Sequence, residues 1–281
     1  MPSMAHAFRI VNVFTVDGDR LSGNPLCVFE DARGLSSEQM QALARQMNLS
    51  ETTFVLPSET ADAHVRIFTP GFEMPFAGHP TLGTASVVGA GRGEVTLEMI
   101  AGRVHVTCEG SRWTLRAAKA PVTRPVDATR AELAQMVGLP DDAVCDEPLW
   151  VDTGVEQLVI PIRDAALVRQ AKPVPALIER HGFSSTRQEA MAYLWAPGAP
   201  AWTVRFFFTS NGAVIEDPAT GSACANLGGW HLARGKAPVE ATLMQGEAIG
   251  RPSRLGLRVD ERGAIYVSGE AIELGRGSID L

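Results

Sequence analysis

Two short stretches of the chain repeat one motif about half a chain length apart. The first reads HPTLGTA at residues 79–85 and the second reads DPATGSA at residues 217–223. Their prolines (218 − 80) and their glycines (221 − 83) are each separated by 138 positions in a chain of 281 residues. Each motif follows an arginine-led apolar segment, RIFT at residues 66–69 and RFFF at residues 205–208. Repetition at a fixed period is typical of internal duplication, so the motif predicts two similar half-domains.

The boundary between the halves is predicted near residues 119–125. This stretch contains two prolines and is typical of a linker. We therefore predict an N-terminal half-domain over residues 1–120 and a C-terminal half-domain over residues 121–281, with the terminal strand able to cross between them. A chain of this length accommodates two domains of ordinary size.

Apolar patterning predicts strands in both halves and helices between them. Ser36 with Gln39, and Thr129 with Glu132, have the spacing of capping boxes and predict helices at residues 36–48 and from Thr129 onward. Alternating apolar residues predict the strands. These lie near residues 7–16, 25–29, 52–57, 63–69, 94–100, 103–108, 112–117, 156–162, 188–195, 202–208, 240–245, 254–259 and 264–268.

The two repeated segments are predicted to be central helices. Residues 79–90 and 218–233 contain no Asp, Glu, Lys or Arg and are rich in small residues. A helix without a charged face has to be buried on most sides. The predicted architecture is therefore a strongly curved sheet wrapped round a central buried helix, formed twice.

Composition and motifs exclude several classes of function. The net charge is -7 and no Lys/Arg run is present, so nucleic acid and membrane surfaces are not expected partners. The chain has neither a P-loop nor a Rossmann glycine fingerprint, which argues against a nucleotide cofactor. It has no secretory signal pattern and no apolar run long enough to cross a bilayer, so a cytoplasmic location is expected.

The four cysteines are predicted to be buried free thiols. They are far apart, without a C-x-x-C spacing or a histidine at ligand spacing, so neither disulfides nor a metal site are expected. The four are Cys27, Cys108, Cys145 and Cys224.

The starts of the central helices are the predicted binding positions. Pro80 and Pro218 suit the first helical position, which would make His79 and Asp217 the N-cap residues. Each helix start would then point unpaired N–H groups outward and form an anion site. If the halves face each other, both starts converge on one cleft and hold a carboxylate without Arg or Lys. Taken singly, Asp217 is explained as a cap, His79 as a loop residue and Ser222 as a packing residue; the repeat favours the functional interpretation.

Glu51 is the candidate acid/base residue. It lies in NLSETTF at residues 48–54, between the first helix and an apolar strand. Partial desolvation by Leu49 and Phe54 would raise the pKa of its carboxyl toward neutrality and suit it to proton transfer. Composition alone favours the interpretation of Glu51 as an ordinary surface residue at a strand end.

Four motifs together resemble the PhzF-like family, which is named after a phenazine-biosynthesis isomerase. They are GNPLCVF (23–29), NLSETTF (48–54), FTPGFEMPFAGHPTLGTA (68–85) and EDPATGSA (216–223). The resemblance implies the α+β fold of diaminopimelate epimerase, with two pseudo-symmetric half-domains. Each would be a curved mixed β-sheet or barrel round a central helix.

The resemblance also implies roles for single residues. Glu51 would be the proton shuttle, and His79 and Asp217 would line the site and hold the substrate. Backbone or hydroxyl contacts would come from Gly78, Gly221 and Ser222. No metal, flavin or pyridoxal phosphate is implied, and a homodimer is a family-level expectation.

One departure from related epimerases bears on the mechanism. Epimerases of this fold use one cysteine at each helix start, and those positions are interpreted here as Ala77 and Pro218, with Cys224 one turn too late. A two-base thiol mechanism is therefore disfavoured. The predicted function is a cofactor-independent isomerase that shifts a proton on a small carboxylated substrate through Glu51. The alternatives are an epimerase or racemase that uses a carboxylate, and a non-catalytic small-molecule-binding protein.

Overall fold

The structure is a computed structural model that describes residues 5–210 and 212–281. Residues 1–4, where the segment tested for a secretory signal begins, and Asn211 lie outside the described part. The chain divides into two compact units. The first unit contains the chain up to Arg116 together with Ser268–Leu281, and the second contains Ala117–Val267.

The first unit begins with eight strands and two helices. In chain order these are β1 (Ala5–Val13), β2 (Asn24–Phe29), α1 (Ser37–Met47), β3 (Glu51–Leu56), β4 (Ala63–Phe68), β5 (Glu73–Met74), α2 (Gly78–Val88), β6 (Glu94–Met99), β7 (Gly102–Glu109) and β8 (Arg112–Arg116).

The described part of the second unit contains nine strands and four α-helices, after which one long strand returns to the first unit. In chain order these are β9 (Val122–Pro125), α3 (Arg130–Met136), β10 (Leu149–Asp152), β11 (Glu156–Pro161), α4 (Ala165–Gln170), α5 (Pro175–His181), β12 (Phe183–Ser184), β13 (Glu189–Ala196), β14 (Trp202–Ser210), β15 (Ala213–Asp217), α6 (Gly221–Ala233), β16 (Val239–Gln245), β17 (Ser253–Val259) and β18 (Ile265–Asp280).

The strands of the first unit form a closed mixed barrel. Neighbouring strands follow the order β1, β2, β3, β4, β6, β7 and β8, with parallel pairs at β2–β3 and β4–β6 and antiparallel pairs elsewhere. β18 pairs with both β1 and β8 and closes the ring of eight strands. α2 packs against β1, β2, β3, β6 and β8, so the barrel encloses this helix.

The second unit repeats this strand order. β10, β11, β13, β14, β16 and β17 pair in sequence, and again the second and fourth pairs are parallel while the others are antiparallel. The short strand β5 forms a hairpin with β4, and β15 forms the equivalent hairpin with β14. α6 packs against β9, β10, β11 and β17. The α+β fold, with a curved sheet round a central helix in each unit, is confirmed.

The prediction that the central helices are buried is confirmed, but their predicted starts are wrong. All residues of α2 from Gly78 to Ala85 are buried, as are most residues of α6. α2 is N-capped by Ala77 and α6 by Thr220, so His79 lies inside its helix and Asp217 ends β15. A proline is tolerated anywhere in the first turn, because none of those N–H groups has a partner within the helix. Pro80 therefore did not mark the first helical residue.

Strand pairing shows that the two motifs are not aligned as the letters suggest. Met74 pairs with Ile67 in the first unit as Asp217 pairs with Phe206 in the second. These partners (217 − 74) and the helix starts (221 − 78) are both separated by 143 positions. Gly78 therefore corresponds to Gly221 and His79 to Ser222, and the sequence motif is out of register by five positions. Gly, Pro and Thr are common at turns and helix starts, so their recurrence gave a false alignment within a real repeat.

Two further predictions can be compared with the structure. Both capping boxes are confirmed, at Ser36 and Thr129. The linker interpretation of residues 119–125 is wrong in part, because Val122–Pro125 forms β9 and pairs with β10.

The cysteine prediction also holds only in part. All four thiols are free, but only Cys27 and Cys224 are buried, whereas Cys108 is half-buried and Cys145 is exposed. Spacing alone therefore did not distinguish core thiols from surface thiols.

Candidate active site

Glu51 is the first residue of β3, directly after the turn that ends α1. Asn48 caps α1 in the left-handed conformation with φ 52°, which suits an asparagine and turns the chain into the strand. Glu51 lies opposite Leu26 in the parallel β2–β3 pair. Leu49 packs against the apolar cluster that contains Phe54. The Glu51 side chain is 17% exposed, so it is shielded but still reached by solvent.

His79 lies beside Glu51 in the first turn of α2. Its Nδ1 atom is 3.2 Å from Oε2 of Glu51, and its side chain is 4% exposed. Within the described residues, neither Glu51 Oε2 nor His79 Nε2 makes a hydrogen bond. A buried polar atom without a partner costs about 1–3 kcal/mol. Such atoms are retained where a ligand or water completes them, so this pair is a candidate site.

The first turns of both central helices lack a side-chain cap. Ala77 cannot accept a hydrogen bond through its side chain, and the Thr220 side chain accepts none from its own helix. Gly78 and Gly221 are the first helical residues, so no Cβ covers the N–H groups that follow each cap. Unpaired N–H groups at a helix start attract anions. Each helix start can therefore hold one oxygen atom of an anionic ligand.

Asp217 belongs to a polar turn that precedes α6. Its carboxylate accepts a hydrogen bond from the Thr220 hydroxyl. Gln245, which is 1% exposed at the end of β16, donates to the Asp217 carbonyl at 2.9 Å and to Thr220 Oγ1 at 3.0 Å. The Gln245 Oε1 atom accepts from the Thr220 N–H at 3.2 Å. Gln245 was missed from sequence, because 25 positions separate it from Thr220.

One arginine–glutamate pair fastens the hairpin before each central helix. Arg66 donates to both carboxylate oxygens of Glu73 at 2.7 and 2.6 Å, and Arg205 donates to both of Glu216 at 3.0 and 2.7 Å. Each guanidinium lies over the phenylalanine two positions later, at 5.0 and 4.6 Å from the ring centroid. Bidentate arginine–carboxylate pairs of this kind fix the relative orientation of the two side chains and also attract them electrostatically. The repeated arginine noted in the sequence is therefore a structural clamp.

Cys224 is poorly suited to act as a base in this fold. It is fully buried as the fourth residue of α6, and its thiol contacts the Gly256 carbonyl at 3.8 Å. Burial strongly raises the pKa of the Cys224 thiol, because the interior disfavours the thiolate. The positions matched at the two helix starts are Ala77 and Thr220, not Ala77 and Pro218 as the sequence suggested. Neither carries a thiol.

The predicted site residues fall into two groups, one in each unit. Glu51, Gly78 and His79 lie together in the first unit. Asp217, Gly221 and Ser222 lie together around the start of α6 in the second. The expectation that both helix starts hold one shared anion stays a prediction.

A separate cavity lies at the other end of α2. It measures about 480 Å³ and is lined near the helix end by Val87 and Ala90, with Arg9 and Arg92 among its charged residues. Arg9 is paired with Glu30 and Glu273, and Arg92 with Asp62. A helix of this length spans about 16 Å, so the cavity is distinct from the Glu51–His79 site.

Solved structures with the same fold include a PhzF-family protein and an amino-acid epimerase. A PhzF-family phenazine biosynthesis protein from Bacillus anthracis covers 98% of this chain and 99% of its own, with 24% identity and a TM-score of 0.84. A hydroxyproline epimerase from Agrobacterium vitis matches 99% of this chain and 93% of its own, with 13% identity and a TM-score of 0.65. The fold is therefore the one shared by proline racemases and diaminopimelate epimerase.

Residues 11–277 match the model of a family described as phenazine biosynthesis-like proteins. An uncharacterized isomerase of Pasteurella multocida is 39% identical, covering 98% of this chain and 94% of that protein. The trans-2,3-dihydro-3-hydroxyanthranilate isomerase of Pseudomonas chlororaphis is 36% identical, covering 98% and 100%. The chain thus belongs to the PhzC-PhzF family, and it is an isomerase. None of its described helices is both long and apolar enough to cross a membrane.

Proposed function

We propose that this isomerase shifts a proton on a small carboxylated substrate, with Glu51 as its single acid/base group and without a cofactor. The observation that carries the proposal is the Glu51–His79 contact at the start of α2. A general base needs a lone pair that is not already held by a strong donor. Glu51 Oε2 meets this requirement, since it is shielded from bulk water and accepts no hydrogen bond within the described residues.

Other partly buried carboxylates of the two units are less suited to the role. Glu73 and Glu216 are held by two-pronged arginine pairs. Arg124, helped by the Ser184 and Thr186 hydroxyls, lowers the pKa of Glu156 to about 2. A carboxylate with so low a pKa is a weak base at neutral pH. Glu51 differs from these because its basic neighbour is a histidine and not a two-pronged arginine.

The proposed reaction needs only one proton and one carboxylate. Ionised Glu51 removes a proton from one substrate carbon, and the C–H bonding electrons move into the conjugated system. Glu51, which solvent still reaches, exchanges this proton with water and then delivers a proton to a second carbon, so Glu51 ends ionised as it began. His79 lies beside this carboxylate, with its Nδ1 atom 3.2 Å from Oε2. Gly78, Gly221 and Ser222 bind substrate oxygens through backbone N–H or hydroxyl groups, and Asp217 holds the turn before α6 and contacts the substrate.

The substrate class follows from relatives and from the helix starts. The Pseudomonas chlororaphis relative is named for a dihydro-hydroxyanthranilate, which is a cyclic carboxylate. Helix starts without side-chain caps suit the oxygens of such an anion. We therefore propose a cyclic or amino-acid-like carboxylate as the substrate of this protein.

Deuterium uptake tests the proposal and separates it from its alternatives. The protein is incubated in D2O with trans-2,3-dihydro-3-hydroxyanthranilate and with cyclic amino acids, and the products are followed by NMR. Deuterium at a carbon next to a shifted double bond supports the isomerase. Uptake with inverted configuration would indicate an epimerase, and binding without uptake would indicate a non-catalytic protein. The Glu51→Gln variant must lose the uptake for the proposal to stand.

A further inference from the structure

A chain of buried hydrogen bonds runs along α6 and ends at Ser222. Asn226, which is fully buried, accepts through Oδ1 from the Thr153 N–H at 2.9 Å and from the Thr153 hydroxyl at 2.7 Å. Asn226 Nδ2 donates to the Val155 carbonyl at 2.8 Å and to Gln157 Oε1 at 2.7 Å. Gln157, 1% exposed, then donates through Nε2 to Ser222 Oγ at 2.9 Å.

The backbone sets the direction of every hydrogen bond in this chain. The Thr153 N–H can only donate and the Val155 carbonyl can only accept, so the Asn226 amide has one possible orientation. Gln157 must consequently present Oε1 to Asn226 and Nε2 to Ser222. Within the described residues, the donation from Gln157 is the one hydrogen bond of Ser222 Oγ. The hydroxyl proton of Ser222 is therefore directed away from Gln157.

The first unit fills the same positions with apolar groups. Val11 pairs with Leu26 in the first unit, and Val151 pairs with Gln157 in the second. Leu26 therefore corresponds to Gln157. Two positions after the matched valines, Val13 corresponds to Thr153. Gly83 in α2 corresponds to Asn226 in α6, because each lies four positions after the matched residues His79 and Ser222.

No polar chain could form at those positions in the first unit. A Cβ atom on Gly83 would come within 2.5 Å of Leu26 and 2.9 Å of Val13. The two units share this strand order, so the fold itself does not require the polar chain of the second unit. Its retention there points to a role at Ser222.

We infer that Gln157 and Asn226 are positioning residues, which keep Ser222 Oγ as an acceptor toward the interior and a donor toward the substrate. A hydroxyl held in this way binds an oxygen that carries lone pairs and negative charge, as in a carboxylate. The inference rests on the proposed function, in which Ser222 binds the substrate. Neither amide needs to touch the substrate, because both act through the Ser222 hydroxyl.

Gln157→Glu tests the direction of the chain with little change in size. When the introduced carboxyl group is ionised, it accepts from both Asn226 Nδ2 and the Ser222 hydroxyl, so the Ser222 proton turns inward and is lost to the substrate. Hydrogen bonds to charged groups contribute enough for a loss of about ten- to hundred-fold in affinity. When the same carboxyl group is protonated, it donates to Ser222 Oγ and restores the original direction. Affinity should therefore recover as the pH is lowered, whereas a merely structural defect would not recover.

The measurement is the Kd for anthranilate by titration calorimetry, as a ratio of variant to wild type from about pH 4 to about pH 8, which spans the ordinary carboxyl range. Gln157→Met is the matched control, since it removes both hydrogen bonds without adding a group that titrates. Its ratio should be independent of pH. In the Ser222→Ala background, Gln157→Glu should cause no further loss, because the hydroxyl through which it acts is gone.

Three results would overturn the inference in distinguishable ways. Equal Kd for wild type and Gln157→Glu at every pH, with a weakened Ser222→Ala, would exclude the positioning role and leave the role of Ser222 intact. A Ser222→Ala variant that binds normally would remove both roles while leaving Glu51 untouched. Failure of the wild type to bind anthranilate would reject the substrate class and the inference with it.

Discussion

The two units share one strand order but place different chemistry beside the first turn of their central helix. In the first unit, the second helical residue is His79, and Glu51 lies beside it with apolar packing behind. In the second unit, the second helical residue is Ser222, which is held by a chain of neutral amides. The first unit therefore places a carboxylate beside a histidine at its helix start, where we propose proton transfer, whereas the second unit places a hydroxyl that is hydrogen-bonded to neutral amides.

The strand that carries Glu51 in the first unit also differs from its counterpart in the second unit. Thr52 pairs with Phe68 as Ala192 pairs with Phe207, which makes Met191 the counterpart of Glu51. Met191 is completely buried. A carboxylate at that position would lack the solvent contact that Glu51 keeps and would lose several kcal/mol on desolvation. The difference teaches that the two units are equivalent frames, of which, among the described residues, only the first places a carboxylate beside a histidine at its helix start.

Glu51→Gln is expected to have the largest effect. It keeps the shape of the side chain but cannot accept a proton, so deuterium exchange should fall by about 10²–10⁴-fold while anthranilate binding stays nearly unchanged. Exchange is measured by NMR in D2O and binding by calorimetry. Glu59→Gln, at an exposed position, is the control and should behave as wild type. Near-normal exchange by Glu51→Gln would reject the one-base carboxylate mechanism.

Asn226→Leu should be the most destabilising change in the second unit. It leaves Gln157 Oε1 and the Thr153 N–H buried without partners, and each such group costs about 1–3 kcal/mol. We expect the free energy of unfolding in urea to fall by about 2–5 kcal/mol. A variant as stable as wild type would mean that water replaces the amide, and the polar chain would then not be a rigid element.

Gly83→Ala is the corresponding change in the first unit, and its expected cost is smaller. The added methyl group overlaps Leu26 and Val13, and overpacking of this kind costs about 1–3 kcal/mol. The same urea titration measures it. Gly91→Ala is a less informative comparison because its φ is +81°; Ser86→Ala, on the same helix and half-buried, is the better control. No loss for Gly83→Ala would show that the close packing of α2 relaxes easily.

Asp217→Ala should weaken binding moderately. It removes the acceptor of the Thr220 hydroxyl as well as the proposed substrate contact, so we expect a rise of about ten-fold in the Kd for anthranilate. Asp217→Asn keeps an acceptor for Thr220 and should lose less. Met74 occupies the matching position in the first unit, and Met74→Ala should leave the Kd unchanged. Equal losses for Met74→Ala and Asp217→Ala would contradict a specific role for the carboxylate.

Cys224→Ala should have the smallest effect. The thiol is buried and its pKa is raised, so it forms no thiolate that could act as a base at neutral pH. Deuterium exchange should stay within about two-fold of wild type, well below the effect expected for a general base. A dead Cys224→Ala variant that still folds would replace the carboxylate mechanism by a thiol mechanism.

Local features of the chain could be predicted from the sequence. Ser36 and Thr129 cap their helices as predicted because a capping box involves only four consecutive residues. Most strands were predicted to within a few residues, because alternation is also local. The short strands β5, β9, β10, β12 and β15 were missed, since two to five residues carry too little pattern to detect. The end of β18 was missed because its residues after Ser268 are mostly half-buried or exposed.

The sequence by itself determined that two uncharged, small-residue segments must be central helices, because a helix without a polar face has nowhere to lie but inside a sheet. It also singled out Glu51, His79 and Ser222 through short motifs, each confined to a few neighbouring positions. Only the tertiary structure decided which positions of the two units correspond, because strand pairing and not the recurrence of prolines sets the register. Only the tertiary structure joined Thr153, Gln157, Asn226 and Ser222. Their hydrogen bonds connect residues that lie 65–73 positions apart, and no local pattern encodes a contact over that distance.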